Sequence, residues 1–314
     1  MAADPITTVK HELLARQLDG WAPAALRRSR RATFAQVRGG PDDGTAEAAI
    51  RVFARHTELL RGRRLTVLAL AAPADDLAVR LGADQATLPP EVSVHLVTGD
   101  AERLPVALRA ASASGAPILG YLDAATGPAP SLGALAAVAG GRPGEVLLVL
   151  GSQARAELDH RRVLAEAGFP LVADVELVDG VAATRPVDGG GLPQLVVFAT
   201  TLGRSLDAFK NDLWAVGEGT GARYRDPQDP EAQSVDISPS PQTDPLCREL
   251  LSELVRLGPC SVTELRQFTV ANTIYRASDT LRAITAMLAA GRVTRTPESG
   301  RLAGDVIIEP TTAG

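Results

Sequence analysis

The sequence predicts an α/β protein built on a doubly wound, mostly parallel sheet and followed by a small helical module. Three observations point there. Short apolar runs alternate with amphipathic helical patterns from 32 to 216, and a βαβα succession with short connections implies a parallel sheet covered by helices on both faces. The run Ile118, Leu119, Tyr121, Leu122 is continuous, bounded by Pro117 and by Asp123, as in a central strand buried on both faces. From 246 onward three amphipathic helices lead into a short hairpin.

The first segment, 1–31, is helical. Val9, Leu13, Leu14 and Leu18 stand near helical spacing, with Trp21 and Leu26 following on either side of Pro23, so a short amphipathic helix over 9–18 packs onto the main body. The run Arg27, Arg28, Arg30 and Arg31 reads as a solvated connection.

Candidate strands follow at 32–37, 65–70, 92–97, 118–122, 145–150, 172–178 and 195–199. Helical patterns lie between them at 45–60, 74–81, 101–111, 132–138 and 154–167. Seven strands with the last two close together fit the sheet of a methyltransferase-type domain, whose final strand runs antiparallel, better than a closed barrel. This domain spans 32–216.

In an open α/β sheet, ligands bind in the crevice beyond the carboxyl ends of the strands. Asp123 falls at such an end, either meeting a ligand or capping the next helix. The first βα turn reads FAQVRGGPDDG. Its Gly39, Gly40 and Gly44 form the natural cradle, because glycine lets a backbone approach a ligand and a helix amino terminus favours negative charge. It is neither GxGxxG nor GxxxxGK[ST], and Asp42 and Asp43 would repel a pyrophosphate, so dinucleotide binding is disfavoured. The second strand ends in Leu70, Ala71 and Ala72, with no acid to hold a ribose. The third ends in Thr98, Gly99 and Asp100, where Asp100 either accepts from an adenine amino group or caps a helix.

Four stretches together carry a resemblance: KHELLARQLDGW (10–21), RRATFAQVRGGPDDG (30–44), YLDAATGP (121–128) and LVVFATTLGRSLDAFKNDLWAV (195–216). With FTVANTIYRASDTLRAI near the end, the chain resembles the three-Cys-motif partner protein family over nearly its whole length. The resemblance implies an S-adenosylmethionine-dependent methyltransferase-like domain with a carboxyl-terminal winged helix. It also implies a three-Cys-motif protein, similar to radical enzymes, as partner. The cofactor-binding residues would then be Gly39, Gly40, Pro41, Asp100 and Asp123, with Tyr121 and Thr126 lining the acceptor pocket.

The departures matter as much. Where the family resembles Tyr-Val-Asp-Gly-Phe-Ala-Gly-Pro-Gly, this chain carries Gln36 in the acidic place and Asp42 in that of the last glycine. The family's Asp-Pro-Phe-Gly becomes Asp123, Ala124, Ala125, Thr126. A lost charged hydrogen bond costs about 1.5–3 kcal/mol, so two losses weaken cofactor affinity by on the order of a hundredfold. A degenerate, non-catalytic relative is therefore one of the two readings. Methyl transfer needs alignment more than acid-base groups, so no residue by itself marks activity, and no catalytic residue is assigned. GxSxG is absent and His11, His56, His95 and His160 show no triad spacing.

The helix over 206–216 places Phe209, Leu213 and Trp214 on one face, with Lys210 beside them. The stretch 217–245, rich in Gly, Pro, Asp, Gln and Ser, reads as a linker or surface loop. In 246–310, helices over 246–257, 261–268 and 278–290 precede the hairpin, and Ser261 with Glu264 has the form of a capping box. Three helices and a two-stranded wing make a winged helix. Arg276, Arg282, Arg292 and Arg295 are its candidate nucleic-acid contacts.

Composition sets the outer limits. The 314 residues suggest two domains, and 45% hydrophobic residues suffice for a core. A net charge of −5 gives no whole-chain signature of nucleic-acid binding. Two cysteines support neither a disulfide framework nor a zinc site, and no metal is expected. Without a signal peptide or an apolar run of about 18 residues the chain reads as cytoplasmic, with no membrane association. The two functions carried forward are S-adenosylmethionine-dependent methyl transfer, or its remnant in a partner protein, and a non-enzymatic binding module acting through the winged helix.

Overall fold

The computed structural model describes residues 4–38, 44–72, 77–79, 81, 88–179, 192–217, 220, 222–229, 234–235, 237 and 241–311. Of the expected cradle, Gly39 and Gly40 lie outside them, as does Pro41, while Gly44 caps the helix that starts at Thr45. A nine-stranded sheet forms the centre. Its strands are β1 (Arg31–Arg38), β2 (Arg64–Ala71), β3 (Val92–Thr98), β4 (Ile118–Ala124), β5 (Gly144–Leu150), β6 (Leu171–Asp179), β7 (Gln194–Thr200), β8 (Ala222–Arg225) and β9 (Ser234–Val235). They lie in the order β3-β2-β1-β4-β5-β7-β6-β8-β9. The first five are parallel, and β7 runs antiparallel to both β5 and β6.

All seven expected strands form, and two more extend the sheet. The stretch 217–245, read as a linker, supplies both. Tyr224 is what anchors β8: its ring is buried and its Oη donates to the Leu213 carbonyl at 3.1 Å. Four residues are too short to show a period, which is why the strand escaped notice.

Helix α1 (Pro5–Arg28) runs unbroken through Pro23, against the expectation of a short helix over 9–18. Proline costs the interior hydrogen bond, about 3 kcal/mol. Ala25 and Leu26 are both buried beyond it. Burying Leu26 contributes about 1.5–3 kcal/mol and Ala25 adds to it, so burial beyond the proline offsets most of the break. Two other expected helices divide instead. The first becomes α2 (Thr45–Ala54) and α3 (Thr57–Leu60). After α4 (Leu104–Ala110) and α5 (Leu132–Ala139), the second becomes α6 (Ser152–Glu157) and α7 (His160–Ala167). Asp159 between them caps α7 by accepting from the Arg162 amide at 3.2 Å, a role that interrupts a helix.

One face of the sheet buries α1, α2 and α8 (Gly203–Gly217), and the other buries α4, α5 and α7. The carboxyl-terminal elements are α9 (Asp244–Leu257), β10 (Cys260–Ser261), α10 (Val262–Asn272), α11 (Ala277–Ala289), β11 (Val293–Thr296) and β12 (Ile307–Pro310). Their strands form a second sheet in the order β10-β12-β11. The expected capping box is present: Ser261 Oγ accepts from the Glu264 amide at 3.2 Å, and the Ser261 amide donates to Glu264 Oε2 at 2.7 Å. This module shares one continuous apolar cluster with the α1 face of the large sheet, so it is welded to the sheet rather than tethered by a linker.

Candidate functional site

Strands β1 and β4 are neighbours from which the order runs outward in opposite directions, to β2 and to β5. A crevice opens beyond their carboxyl ends at such a reversal. Arg38 and Asp123 face each other there in register, and Asp123, Arg38, Asp100, Glu102 and Pro128 line a cleft of about 80 Å³. The structure thus brings Asp100 and Asp123 to one place.

Asp123 is already engaged. Its Oδ2 takes the Lys10 ammonium at 3.1 Å and the Tyr121 hydroxyl at 3.3 Å, while Oδ1 accepts from the Ala125 amide at 2.9 Å. Both ionic side chains are mostly buried, Lys10 to 7% exposure and Asp123 to 13%. Tyr121 is buried in the central strand beneath Asp123 and is not among the residues lining the cleft, a correction to its expected place there. Thr126 is exposed beyond the end of the strand. Sequence reasoning gave Lys10 no role. The signal was its position one turn before Leu14, inside the stripe of Ile6, Val9, Leu13 and Leu14 that α1 buries; a lysine there needs an anion.

Asp100 is exposed and caps a single 3₁₀ turn, accepting from the Glu102 amide at 3.0 Å. Glu102 in turn accepts from the Ser131 hydroxyl at 2.9 Å. Strand β2 ends at Ala71, with Ala72 following. Gln36 is buried, and its Oε1 has no partner among the described residues.

The segment around Lys210 and Trp214 joins the two sheets. Lys210 Nζ donates to the carbonyls of Thr269 and Tyr275, each at 3.1 Å, and to that of Thr273. These acceptors cluster at the carboxyl end of α10, where a cation is favoured. Burial pulls the Lys210 pKa down to about 7, against the opposing pull of Asp174 and Asp226. Trp214 Nε1 donates to the Ile274 carbonyl at 3.3 Å.

The candidate nucleic-acid arginines divide. Arg276 lies over the Trp214 ring at 4.3 Å and makes a two-pronged pair with the buried Asp279, both contacts at 2.9 Å. Arg295 spends its guanidinium on the hairpin turn, donating to the carbonyls of Pro297, Ser299, Gly300 and Arg301. Both guanidiniums are engaged within the chain, Arg276 against Trp214 and Asp279 and Arg295 on an exposed turn, where they were expected as outward contacts. Arg282 stands 3.9 Å from Asp279, and Arg292 is exposed.

Elsewhere, Asp174 on β6 holds Arg161 through two contacts and His160 through one at 2.7 Å. Burial alone would raise its pKa, but His160 and Arg161 hold it down at about 2. Among the described residues no group of three or more His, Cys, Asp or Glu is placed to hold a metal ion, and no helix is long and apolar enough to cross a membrane. Cys247 and Cys260 are buried free thiols.

No family model matches the chain. No curated protein matches it either. Among solved structures, it is similar to the crystal structure of a DUF574 family protein from Streptomyces avermitilis MA-4680, at 14% identity with a TM-score of 0.36. That likeness covers 61% of this chain and 82% of the other.

Proposed function

We propose that this chain is a methyltransferase-type protein that no longer works by methyl transfer and acts instead as a binding partner. The sheet supports the first half. Parallel strands in the order β3-β2-β1-β4-β5, followed by a reversed β7 and then β6, are what a methyltransferase-type domain requires. One observation carries the second half: Asp123, the acid at the β1/β4 crevice, is bound by Lys10 of the protein's own first helix.

The other residues at the rim do not fit S-adenosylmethionine. Gln36 replaces an acid, β2 ends without one, and Asp100 is occupied as a cap. No chemical step is therefore derived through this cofactor. Calorimetric titration with S-adenosylmethionine and S-adenosylhomocysteine should give no saturable heat up to about 1 mM, where only some 4 kcal/mol of binding remains. Binding at about 10 μM or tighter would restore the catalytic reading. A single observation favours that reading, namely that Asp100 and Asp123 meet at the crevice where such sheets bind ligands.

The carboxyl-terminal module supports the partner role. Three helices, with the short β10 before α10 and a β10-β12-β11 sheet, have the order of a winged helix. Its wing is closed by Arg295 and its third helix is tied back by Arg276, which engages two of the four arginines of the expected basic surface within the chain. A protein partner is therefore the better reading, and the resemblance nominates a three-Cys-motif protein. Co-elution of the two purified proteins in size-exclusion chromatography is expected; separate elution at about 10 μM each, together with a mobility shift on nucleic acid weakened by Arg282→Ala, would reverse the assignment.

A further inference from the structure

We infer a second binding site, for the zwitterion of a small α-amino acid, at the amino end of β5. It lies on the rim opposite the β1/β4 crevice and does not depend on the function proposed above. A cavity of about 200 Å³ opens there between α1 and α8, lined by Gln17, Trp21, Arg28, Glu145, Arg204 and Asp212 among others. That volume corresponds to roughly seven waters, enough for an amino acid and too little for a nucleotide.

The chemistry of the walls defines the occupant. Glu145 is 5% exposed. Its Oε1 accepts from the Ser205 hydroxyl at 2.6 Å and the Thr200 hydroxyl at 3.4 Å, and its Oε2 has no partner among the described residues. Asp212 uses Oδ2 to accept from Gln17 Nε2 at 2.7 Å, and its Oδ1 has no partner among the described residues. Burial raises the pKa of both carboxyls, and only partly do the hydroxyls, Gln17 and nearby arginines offset it. Two desolvated carboxyls with an unengaged oxygen each favour a cation between them. The indole Nε1 of Trp21 is also buried without a partner among the described residues, and Trp21 lines the same cavity.

The rim has the opposite sign. Arg28 and Arg204 line the cavity from exposed positions, and both act on Glu145 through space. They would repel a simple amine and would bind a carboxylate. An anion alone would meet Glu145 and Asp212. A molecule with an ammonium at one end and a carboxylate at the other satisfies both groups at once. Trp21, Ala25 and Leu202 offer an apolar wall for its side chain.

The test is calorimetric titration of the full chain with each standard L-α-amino acid, followed by two truncated analogues of the tightest binder. For leucine these are isoamylamine, which lacks the carboxylate, and 4-methylpentanoate, which lacks the ammonium. The intact amino acid should bind saturably, with each analogue at least about tenfold weaker, the loss of one charged contact worth roughly 1.4 kcal/mol. Glu145→Gln should weaken binding by a similar factor. Ala208→Phe, on an exposed position of α8 that lines the cavity, should block it while leaving the far-ultraviolet circular dichroism unchanged. The absence of saturable binding by any amino acid would overturn the site. So would an analogue that binds as tightly as its parent, or a folded Ala208→Phe protein that binds like the wild type.

Discussion

Lys10 Nζ and Asp123 Oδ2 stand 3.1 Å apart across 113 residues of sequence, fastening the first helix to the carboxyl end of the central strand. Removing one member of a buried pair strands the other charge, which commonly costs 3–5 kcal/mol. Lys10→Met is expected to lose about that much in urea denaturation, with the Tyr121 hydroxyl and Ala125 amide holding the loss near the lower end. Lys10→Met with Asp123→Asn should recover part of it, because neither charge is then left buried alone. A single mutant as stable as the wild type would show the pair to be incidental.

That pair marks the boundary of what the sequence disclosed. Asp123 was legible as the residue ending a buried strand, since the apolar run before it has no other reading. Its partner was not, because nothing in a one-dimensional pattern says which carboxylate a distant lysine will meet. The central strands were legible for the same reason as Ile118–Leu122: burial on both faces writes a continuous apolar run. Tyr224 in β8 sits among Ala222, Arg223 and Arg225, a mixture that carries no period, so a four-residue strand looked like a loop. The arginines failed differently. Arg276 and Arg295 read as surface charge because composition cannot distinguish a guanidinium facing water from one folded back onto Trp214 or onto a turn.

Asp174 makes acid stability testable. Its pKa is about 2 in the folded protein, held below the ordinary 3.8 by His160 and Arg161. The unfolded chain therefore binds the proton first, and the stability from this group is complete above about pH 4 and is lost as pH falls toward 2. A shift of this size corresponds to about 2–3 kcal/mol. Asp174→Asn should be less stable than the wild type by that order at pH 7, with the difference shrinking toward pH 2. Chemical denaturation at several pH values reads this out, and a difference that stays constant with pH would contradict it.

Glu249 has the opposite sign. Burial raises its pKa from 4.5 to about 7, and the neighbouring Asp226 adds to the rise while Lys210 and Arg248 oppose it; Asp229 also faces it as a like charge. Here the folded protein binds the proton first. Stability from this group therefore falls as pH climbs from about 4.5 to 7, and the penalty persists above that range. After allowance for the solvent this side chain still touches, the penalty is about 1–2 kcal/mol. Glu249→Gln should raise the melting temperature at pH 8 and leave it nearly unchanged at pH 5. Equal effects at both pH values would show that charge is not the cause.

Arg276 offers the sharpest test of how the carboxyl-terminal module is held. Its guanidinium lies 4.3 Å from the centre of the Trp214 ring and grips Asp279, a fully buried carboxylate, through two nitrogens. A planar, forked cation can do both at once, and a lysine cannot. Arg276→Ala leaves Asp279 with Arg282 as the next guanidinium, at 3.9 Å, so the loss should be about 2–4 kcal/mol rather than the full cost of an unpaired buried charge. Arg276→Lys keeps the charge and gives up the fork and the stacking, so it should recover less than half. Because Trp214 donates to the Ile274 carbonyl just before α11, its emission should shift to longer wavelength in the alanine variant as water reaches the ring. Full recovery by lysine would mean that charge alone, and not the stacked and two-pronged geometry, holds the module to the sheet.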